Sequence, residues 1–402
     1  MAWVVRGEFR KLWVGQLVSA SGSAITTVAL PLVAVVTLQA SAVQMGVLAA
    51  LTVLPHLVFG LPAGVWVDRW SLRRVLVMTD VGRALVLGCI PVAAVVGVLQ
   101  LWQLYVVAVL AGVLSLLSET ASSTLVPALV PREELIRANS AHLLNLNVAS
   151  TAGPSVAGLL VQVLTAPFAI LFDAASYVVS AVASYLIREP ERSAVSRSSG
   201  VRVTGGLRAI FGNPVLAPLV VSATVGAIAG ALLGPLIVLY LVRELDWAPA
   251  LVGVAITASG VAAVVGSLVA PAWIQVVGLG RGYLIGQLVA SLTGAALAVG
   301  FAPLVFVGQA LAGMGMSLFA VPQRTLRQSL LPPHQLAQVQ ATWRTLVIGG
   351  QSVGALTSGL LATTLGLRTT LVLSTVVMLA GTLIAYLSPL RRLHTLPKAV
   401  TA

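Results

Sequence analysis

Long stretches without a charged side chain constrain this chain more than any other feature. No Asp, Glu, Lys or Arg occurs between Lys11 and Asp68, and a second such run covers residues 84–118. A helix crosses a bilayer with about 20 apolar residues, so the first run holds two crossings with a turn near residues 39–44. Only 8% of the residues are charged, against about 25% in soluble domains. We therefore predict an all-α polytopic membrane protein.

Apolar segments alternate with short polar turns to the end of the chain, which gives twelve predicted spans. The last eight are expected at 138–163, 168–187, 213–242, 249–274, 282–301, 303–323, 335–364 and 368–388. With alternate turns assigned to opposite sides, all but three of the 23 basic residues fall in or beside turns and tails of one side. The positive-inside rule identifies that side as the cytoplasm. Both termini are therefore expected in the cytoplasm, and the excess of arginine over lysine favours a bacterial inner membrane.

An internal repeat relates the two halves of the chain. Thr124, near the end of span 4, aligns with Thr325 near the end of span 10, and the same offset pairs Gly158 with Gly359. A polar segment at 188–212 separates the halves. We therefore predict two pseudo-symmetric six-helix bundles, at 1–187 and 213–402, joined by a cytoplasmic linker at 188–212. Parallel repeats of this kind place a substrate site between the bundles, near the middle of the membrane.

Composition excludes several classes of function. Membrane topology and anionic lipid explain the formal net charge of +12, so no nucleic-acid partner is expected. The chain has one cysteine and four scattered histidines, so neither a metal site nor a cofactor is predicted. These residues are Cys89, His56, His142, His334 and His394. Paired carboxylates, or a nucleophile beside a base, do not occur at useful spacing, which argues against an enzyme.

A charged segment joins spans 2 and 3, and we interpret it as a conformational latch. Its candidate residues are Gly64, Asp68, Arg69, Arg73 and Arg74, followed in span 3 by Asp80 and Arg83. A glycine permits close approach of another helix, a carboxylate can face a helix N-terminus, and arginines can pair with carboxylates or helix C-termini. Asp80 and Arg83 are three apart and so lie on one helix face. The alternative is a plain cytoplasmic anchor.

Three ionisable residues lie within predicted spans, where each costs about 2.5 to 3.5 kcal/mol to insert. Glu119 lies about 18 Å from Pro131 at the helical rise, near mid-membrane, and is the candidate proton carrier or counter-charge for a cationic substrate. Arg344 lies at similar depth in span 11, where it could pair with Glu119 or receive an anion. Asp173 is the third candidate. It lies near the outer end of span 6, where water can reach it, so helix packing is favoured there over transport.

Span 5 carries a run of small residues around a proline. The run is Ala149-Ser-Thr-Ala-Gly153-Pro154-Ser-Val-Ala-Gly158. Small residues allow helices to approach closely, and proline bends a helix. Gly153, Pro154 and Gly158 are therefore candidates for an interface along which the two halves rock, with ordinary tight packing as the alternative.

Several of these motifs resemble those of the major facilitator superfamily of secondary transporters. The spacing Gly-x3-Asp-Arg-x3-Arg-Arg from Gly64 to Arg74 is similar to the superfamily signature between helices 2 and 3, with Ser71 where glycine is usual. Gly153-Pro154 resembles the span 5 motif of its drug and proton antiporters. Four further segments resemble the exporter branch that includes bacterial enterobactin exporters and macrolide efflux proteins. They are Gly15-Gln16-Leu17, Val28-Ala29-Leu30-Pro31-Leu32, Gly60-Leu61-Pro62-Ala63-Gly64 through Arg74, and Pro127-Ala128-Leu129-Val130-Pro131 with Ala138-Asn139.

The resemblance implies proton-coupled export, by antiport and alternating access, of an amphipathic small molecule such as a drug, siderophore or secondary metabolite. The implied partners are the substrate, protons and the lipid bilayer, and a monomer is expected. Two alternatives remain open. One is a lipid or lysolipid translocator on the same fold, and the other is a non-transporting membrane sensor.

Overall fold

The computed structural model describes residues 7–60, 62–131, 134–188, 203–331 and 333–393. Within these ranges the regular structure is helical throughout. We number the twelve long helices in chain order: α1 Glu8–Leu32, α2 Ala42–Phe59, α3 Leu72–Val95, α4 Leu101–Leu129, α5 Leu135–Leu164, α6 Ala166–Tyr185, α7 Leu216–Arg243, α8 Pro249–Val277, α9 Leu279–Ala298, α10 Ala302–Ser329, α11 Pro333–Leu365 and α12 Leu367–Leu387. A π-helical turn, Val33–Thr37, extends α1.

Eleven helices of the described ranges are long and apolar enough to cross a membrane, and α9 is the long helix that falls outside this set. Its 20 residues span about 30 Å at the helical rise, which matches the hydrocarbon thickness. Polar residues such as Gln287 and Ser291 are buried along it. A helix enclosed by other helices can carry polar groups because they face protein rather than lipid. The predicted all-α polytopic fold is confirmed, with twelve helices of spanning length.

Two boundaries differ from those predicted. The last turns of α10 extend to Ser329, past the predicted end at residue 323 and past Pro322, which lies inside the helix. The segment predicted as a linker contains a short helix, Val203–Phe211. This helix packs against α11, where its glycines contact Gln338 and Thr342. Residues 189–202 of the predicted linker lie outside the described ranges.

The chain divides into two compact units. The first comprises the described residues of Met1–Ser41, Leu51–Val195 and Leu241–Thr257. The second comprises those of Ala42–Ala50, Ser196–Tyr240 and Ala258–Ala402. The units differ from the predicted bundles in two segments, 42–50 and 241–257, each of which groups with the other half of the sequence. The division at 1–187 and 213–402 therefore stays a prediction.

Small residues bring α1 close to α5 and α6 in the first unit. A Cβ on Gly15 would lie 3.0 Å from Cβ of Ala183 in α6, and one on Gly22 would lie 2.8 Å from Cβ of Ser176. A Cβ on Gly153 of α5 would overlap Ala24 of α1. Helices pack in membranes through such close approaches, because lipid supplies no hydrophobic driving force between them. Gly153 therefore has a local packing role in the first unit.

A buried ion pair ties α3 to the helices around it. Arg83 pairs with Asp80 one turn earlier, and both residues are buried. Ser180 Oγ of α6 donates to Asp80 Oδ2 at 2.7 Å, and Arg83 Nη2 donates to Ser118 Oγ of α4 at 3.0 Å. The Arg83 guanidinium also stacks on the ring of Tyr177, at 4.1 Å from its centroid. The predicted juxtaposition of Asp80 and Arg83 on one face of span 3 is confirmed, and their partners connect three helices.

Because the pair is buried, removing one member should destabilise the protein more than neutralising both. We predict that Arg83→Met costs about 3 to 5 kcal/mol, since it leaves the Asp80 carboxylate without its cation. The double variant Asp80→Asn/Arg83→Met keeps the hydrogen bond to Ser180 without a buried charge, and should recover most of that loss. Thermal unfolding of the purified protein in detergent measures both. A single variant as stable as the native protein would contradict this account of the pair.

Candidate functional site

Five polar side chains from four helices of the first unit form a cluster, and one of them is the carboxylate of Glu119. We call them the Glu119 cluster: Gln16 of α1, His56 of α2, Glu119 and Ser122 of α4, and His142 of α5. The midpoint of α4 is residue 115, so Glu119 lies about 6 Å beyond the middle of that helix at the helical rise. The cluster therefore lies within the membrane-spanning part of the unit.

The contacts of the cluster involve both of its histidines. His56 Nε2 lies 3.8 Å from Glu119 Oε2. The charge of Glu119 also acts on the imidazole of His142 in α5. His142 Nδ1 lies 3.0 Å from Gln16 Oε1, and the amide of Gln16 donates to Ser122, one turn from Glu119 on the same face of α4. The imidazole of His56 therefore lies near the carboxylate, and that of His142 is connected to the same helix through Gln16 and Ser122.

The hydrogen bonds of Gln16 determine how His142 presents its ring. Because Gln16 Nε2 donates to Ser122, its Oε1 is the acceptor, and Nδ1 of His142 carries the hydrogen of that bond. The neutral ring then has its basic lone pair at Nε2. Nε2 is therefore the atom at which this ring can accept a proton.

Glu119 is accessible although it sits in a spanning helix. Its side chain is 61% exposed, whereas that of His56 is 20% exposed. The Glu119 carboxylate is therefore not enclosed by the protein as a buried ion pair would be. This separates it from Asp80, which is enclosed with its arginine.

Sequence reasoning identified Glu119 but missed His56 and His142. The four histidines were dismissed because they are scattered along the chain, and the fold brings two of them to one carboxylate. A signal was available for His56, because it lies inside the uncharged run from 12 to 67, where any ionisable residue is a functional candidate. For His142 the signal was weaker, since it lies near the start of α5.

The residues predicted as a latch have separate environments. Arg73 Nη1 donates to the carbonyl of Ile187 at 3.4 Å, and its guanidinium stacks over Tyr185. Ser71, the departure from the superfamily pattern, is the N-cap of α3 and accepts a hydrogen bond from the backbone N–H of Arg74. Arg69 is exposed. Asp68 ends a short helix, Pro62–Asp68, but its side chain lies outside the part of the chain that the structure describes.

Two expectations about individual residues are wrong in this structure. A Cβ on Gly64 would meet no atom within 4 Å, so close helix approach does not explain that glycine here. Asp173 is 1% exposed, so water does not reach it as expected. Gly22 of α1 lies against the Asp173 carboxylate, and Ser176 Oγ donates to Oδ1 at 3.2 Å. Asp173 is enclosed because α1 packs directly onto α6 at this point.

Arg344 belongs to the second unit, whereas Glu119 belongs to the first. Arg344 is exposed on α11, next to the buried Trp343. The suggested pairing of Arg344 with Glu119 stays a prediction.

The glycine and proline of α5 meet α8 within the first unit. A Cβ on Gly158 would lie 3.1 Å from Cα of Gly253, and Gly253 in turn abuts the carbonyl of Pro154. Ser155 Oγ donates to Thr257 Oγ1 at 2.7 Å beside this contact. The α5 motif therefore faces a helix from the other half of the sequence.

The second unit contains the matching contact between α2 and α11. A Cβ on Gly46 would lie 2.6 Å from the carbonyl of Ala355 and 3.2 Å from the amide nitrogen of Gly359. Because the sequence repeat pairs Gly158 with Gly359, the α5–α8 and α11–α2 contacts are equivalent under it. The sequence repeat therefore has a structural counterpart, because glycine lets the helix backbones approach each other closely at both contacts.

Comparison with known proteins agrees with a transporter fold and with efflux. A family model described as transmembrane secretion effector matches residues 1–400. The chain is 27% identical to the multidrug efflux pump Tap of Mycolicibacterium fortuitum over 98% of each sequence. It is 26% identical to macrolide efflux protein A of Streptococcus pyogenes over 46% of this chain and 45% of that protein.

Solved structures of transporters share the fold. A mutant form of the nucleoside transporter NupG superposes with a TM-score of 0.79, covering 95% of this chain and 99% of that one at 13% identity. A bacterial homologue of the iron transporter ferroportin, in an inward-facing state, gives a TM-score of 0.77 at 18% identity, covering 94% and 98%. At these identities the likeness establishes the architecture alone.

The hydrogen bond between Ser155 and Thr257 makes the α5–α8 contact testable by cross-linking. We predict that Ser155→Cys/Thr257→Cys, made in a Cys89→Ser background because the native cysteine is exposed, forms a disulfide rapidly on mild oxidation. Cleavage at a protease site placed in residues 189–202 would leave the two fragments joined until reduction. The control pair Ser150→Cys/Thr257→Cys should not cross-link, since Ser150 bonds its own helix. Equal cross-linking of both pairs would contradict the contact.

Proposed function

We propose that this chain, which belongs to the transmembrane secretion effector family of the major facilitator superfamily, couples export of amphipathic small molecules to proton entry through the Glu119 cluster. The superfamily predicted from the motifs is confirmed. The two relatives named above are efflux proteins, so the chain is an efflux transporter rather than an enzyme. Proton coupling, antiport and the class of cargo are our proposals.

The observation that carries the proposal is an exposed carboxylate within a spanning helix, with the imidazole of His56 at 3.8 Å and that of His142 connected to the same helix through Gln16 and Ser122. A deprotonated Glu119 attracts a cation at 4 Å by about 4 kcal/mol at an effective dielectric constant of ~20. Protonation removes that attraction. A proton and a cationic substrate therefore compete for one carboxylate, and competition for a shared site is what exchange requires.

The two histidines give the proton a route to and from Glu119. His56 Nε2 is within a small side-chain movement of the carboxylate, at 3.8 Å. His142, oriented through Gln16, presents its basic nitrogen away from that hydrogen bond. An unperturbed imidazole has a pKa closer to neutral pH than any other side chain, which suits it to pass protons to and from a carboxylate. We assign both histidines to proton transfer and Glu119 to the competition itself.

The close contacts of α5 with α8 and of α2 with α11 are the places where this proposal locates the conformational change. Neither contact interlocks large side chains, because glycine and carbonyl groups meet directly at both. Such surfaces can separate and close again with little rearrangement of rotamers. We propose that alternating access opens and closes these two contacts, with both termini in the cytoplasm of a bacterial cell.

The charge of the cluster favours cationic over anionic cargo. With the histidines neutral, the only charge of the cluster is the Glu119 carboxylate, which attracts a cation and repels an anion. Proton loading removes that negative charge and makes the imidazoles positive, so it repels a cation and favours its release. The proposed substrates are therefore amphipathic weak bases. A lysophospholipid included in the substrate panel tests the alternative of a lipid translocator.

The central test replaces Glu119 by glutamine. Glutamine has nearly the same shape as glutamic acid but cannot take up or release a proton. We predict that proteoliposomes with Glu119→Gln lose pH-gradient-driven export of a cationic dye by tenfold or more. Downhill movement of the dye should persist but require a higher dye concentration, because the path is intact while the carboxylate that attracts the cation is gone. Glu134→Gln, at the start of α5, is the matched control and should transport like the native protein. Undiminished driven export by Glu119→Gln would refute the proposal.

The histidines make a separate prediction about pH. His56→Gln and His142→Gln should each slow driven export several-fold and change its dependence on pH, because one proton-exchanging group is removed. The double variant should be slower than either. Initial rates at fixed gradient and varied absolute pH provide the measurement. A double variant with the native pH profile would exclude the histidines from the proton route.

A further inference from the structure

A buried cation in the second unit has no acidic partner among the residues that the structure describes. Arg327 lies in the last turn of α10 and is 7% exposed. Its Nε has no hydrogen-bond acceptor among the described residues. Burial of an uncompensated charge is costly. An arginine in this state therefore either has a counter-charge in another part of the protein or can bind an anion.

Trp343 of α11 holds the guanidinium in place. The Arg327 guanidinium lies over the Trp343 ring, 4.7 Å from its centroid. Trp343 is itself buried in an apolar cluster with Tyr283, Leu326 and Val339. Stacking on the indole provides a favourable contact for the face of the guanidinium and fixes the orientation of its plane. The N–H donors lie in that plane and point away from the ring. The side chain is therefore positioned without being neutralised.

A second arginine nearby adds to the positive charge around Arg327. Arg324, one turn earlier on α10, is exposed and interacts electrostatically with Arg327. The negative end of a helix dipole carries only about half an elementary charge, and here it faces two arginines. The end of α10 therefore keeps a net positive charge.

The second unit has no carboxylate that could complete the pair. No Asp or Glu follows Asp246 in the sequence, and none occurs in 42–50 or 196–240. Every residue of the second unit falls in these stretches. A neutralising anion must therefore come from outside the unit.

We propose that Arg327, with Arg324 beside it and Trp343 behind it, forms an oxyanion site that binds a phosphate group. A planar guanidinium matches phosphate with two parallel hydrogen bonds. Arg327 lies two residues, about 3 Å, from the end of α10 at Ser329, which is the level where spanning helices meet lipid headgroups. The headgroup of an anionic phospholipid is the favoured source, and free phosphate is the other. The site is independent of the Glu119 cluster and of proton coupling.

The test measures ligand-dependent stability of the full chain. Native protein, Arg327→Met and the control Arg281→Met, which removes an exposed arginine at the start of α9, are purified in neutral detergent. Each is titrated separately with phosphatidylglycerol, with phosphatidylcholine and, at constant ionic strength, with inorganic phosphate, and the unfolding temperature is followed. We expect phosphatidylglycerol to stabilise native protein and Arg281→Met alike. Its half-saturating concentration should rise about tenfold or more in Arg327→Met.

Each result decides the proposal. A stabilisation by inorganic phosphate alone that Arg327→Met loses would support the oxyanion site and identify a free anion as its source. Equal stabilisation of native protein and Arg327→Met, or no stabilisation of native protein by either anion, would overturn it. If Arg327→Met does not fold, Arg327→Lys replaces it. Lysine keeps the charge but loses the planar fork, so its affinity for phosphatidylglycerol should still fall measurably below that of native protein.

Discussion

A polar or charged group inside the membrane must find its partner within the protein, and this constraint sorts the ionisable residues of the chain. Asp80 and Arg83 meet it completely, because each is bonded to the other and to a second helix. Glu119 meets it only loosely, with an imidazole at 3.8 Å and an accessible side chain. The first arrangement is suited to holding helices together. The second is suited to exchanging one partner for another, which is the basis of the transport proposal.

The two halves repeat the packing but not the charge. In the first unit, the polar contacts of α3 are made by Asp80 and Arg83. In the second unit, α9 uses neutral groups for the equivalent task, since Ser222 Oγ of α7 lies 2.9 Å from Tyr283 Oη and donates to Gln287 Oε1 at 2.9 Å. The carboxylates that could carry protons within spanning helices all lie in the first unit. The two halves therefore share a repeated scaffold but differ in chemistry, and we assign the proton chemistry to the first unit.

Most of the fold was predictable from the sequence, because uncharged runs and basic turns report the membrane directly. The candidate site was predictable only in part. Glu119 stood out as a charge in an apolar span, but its histidine partners come from α2 and α5, and no spacing rule connects them. Asp173 was misjudged because its exposure depends on Gly22 of another helix. No sequence pattern singles out Arg327, and its importance appears only when Trp343 is found behind it.

The most direct test of the account is to record proton movement and substrate movement together. Proteoliposomes containing the native protein, a cationic substrate and an internal pH indicator should show proton entry that begins with substrate export and stops when the substrate is exhausted. Vesicles with Glu119→Gln should show neither proton entry nor uphill export. Substrate export against its gradient without proton movement in the native protein would contradict the central claim that Glu119 is shared between the two.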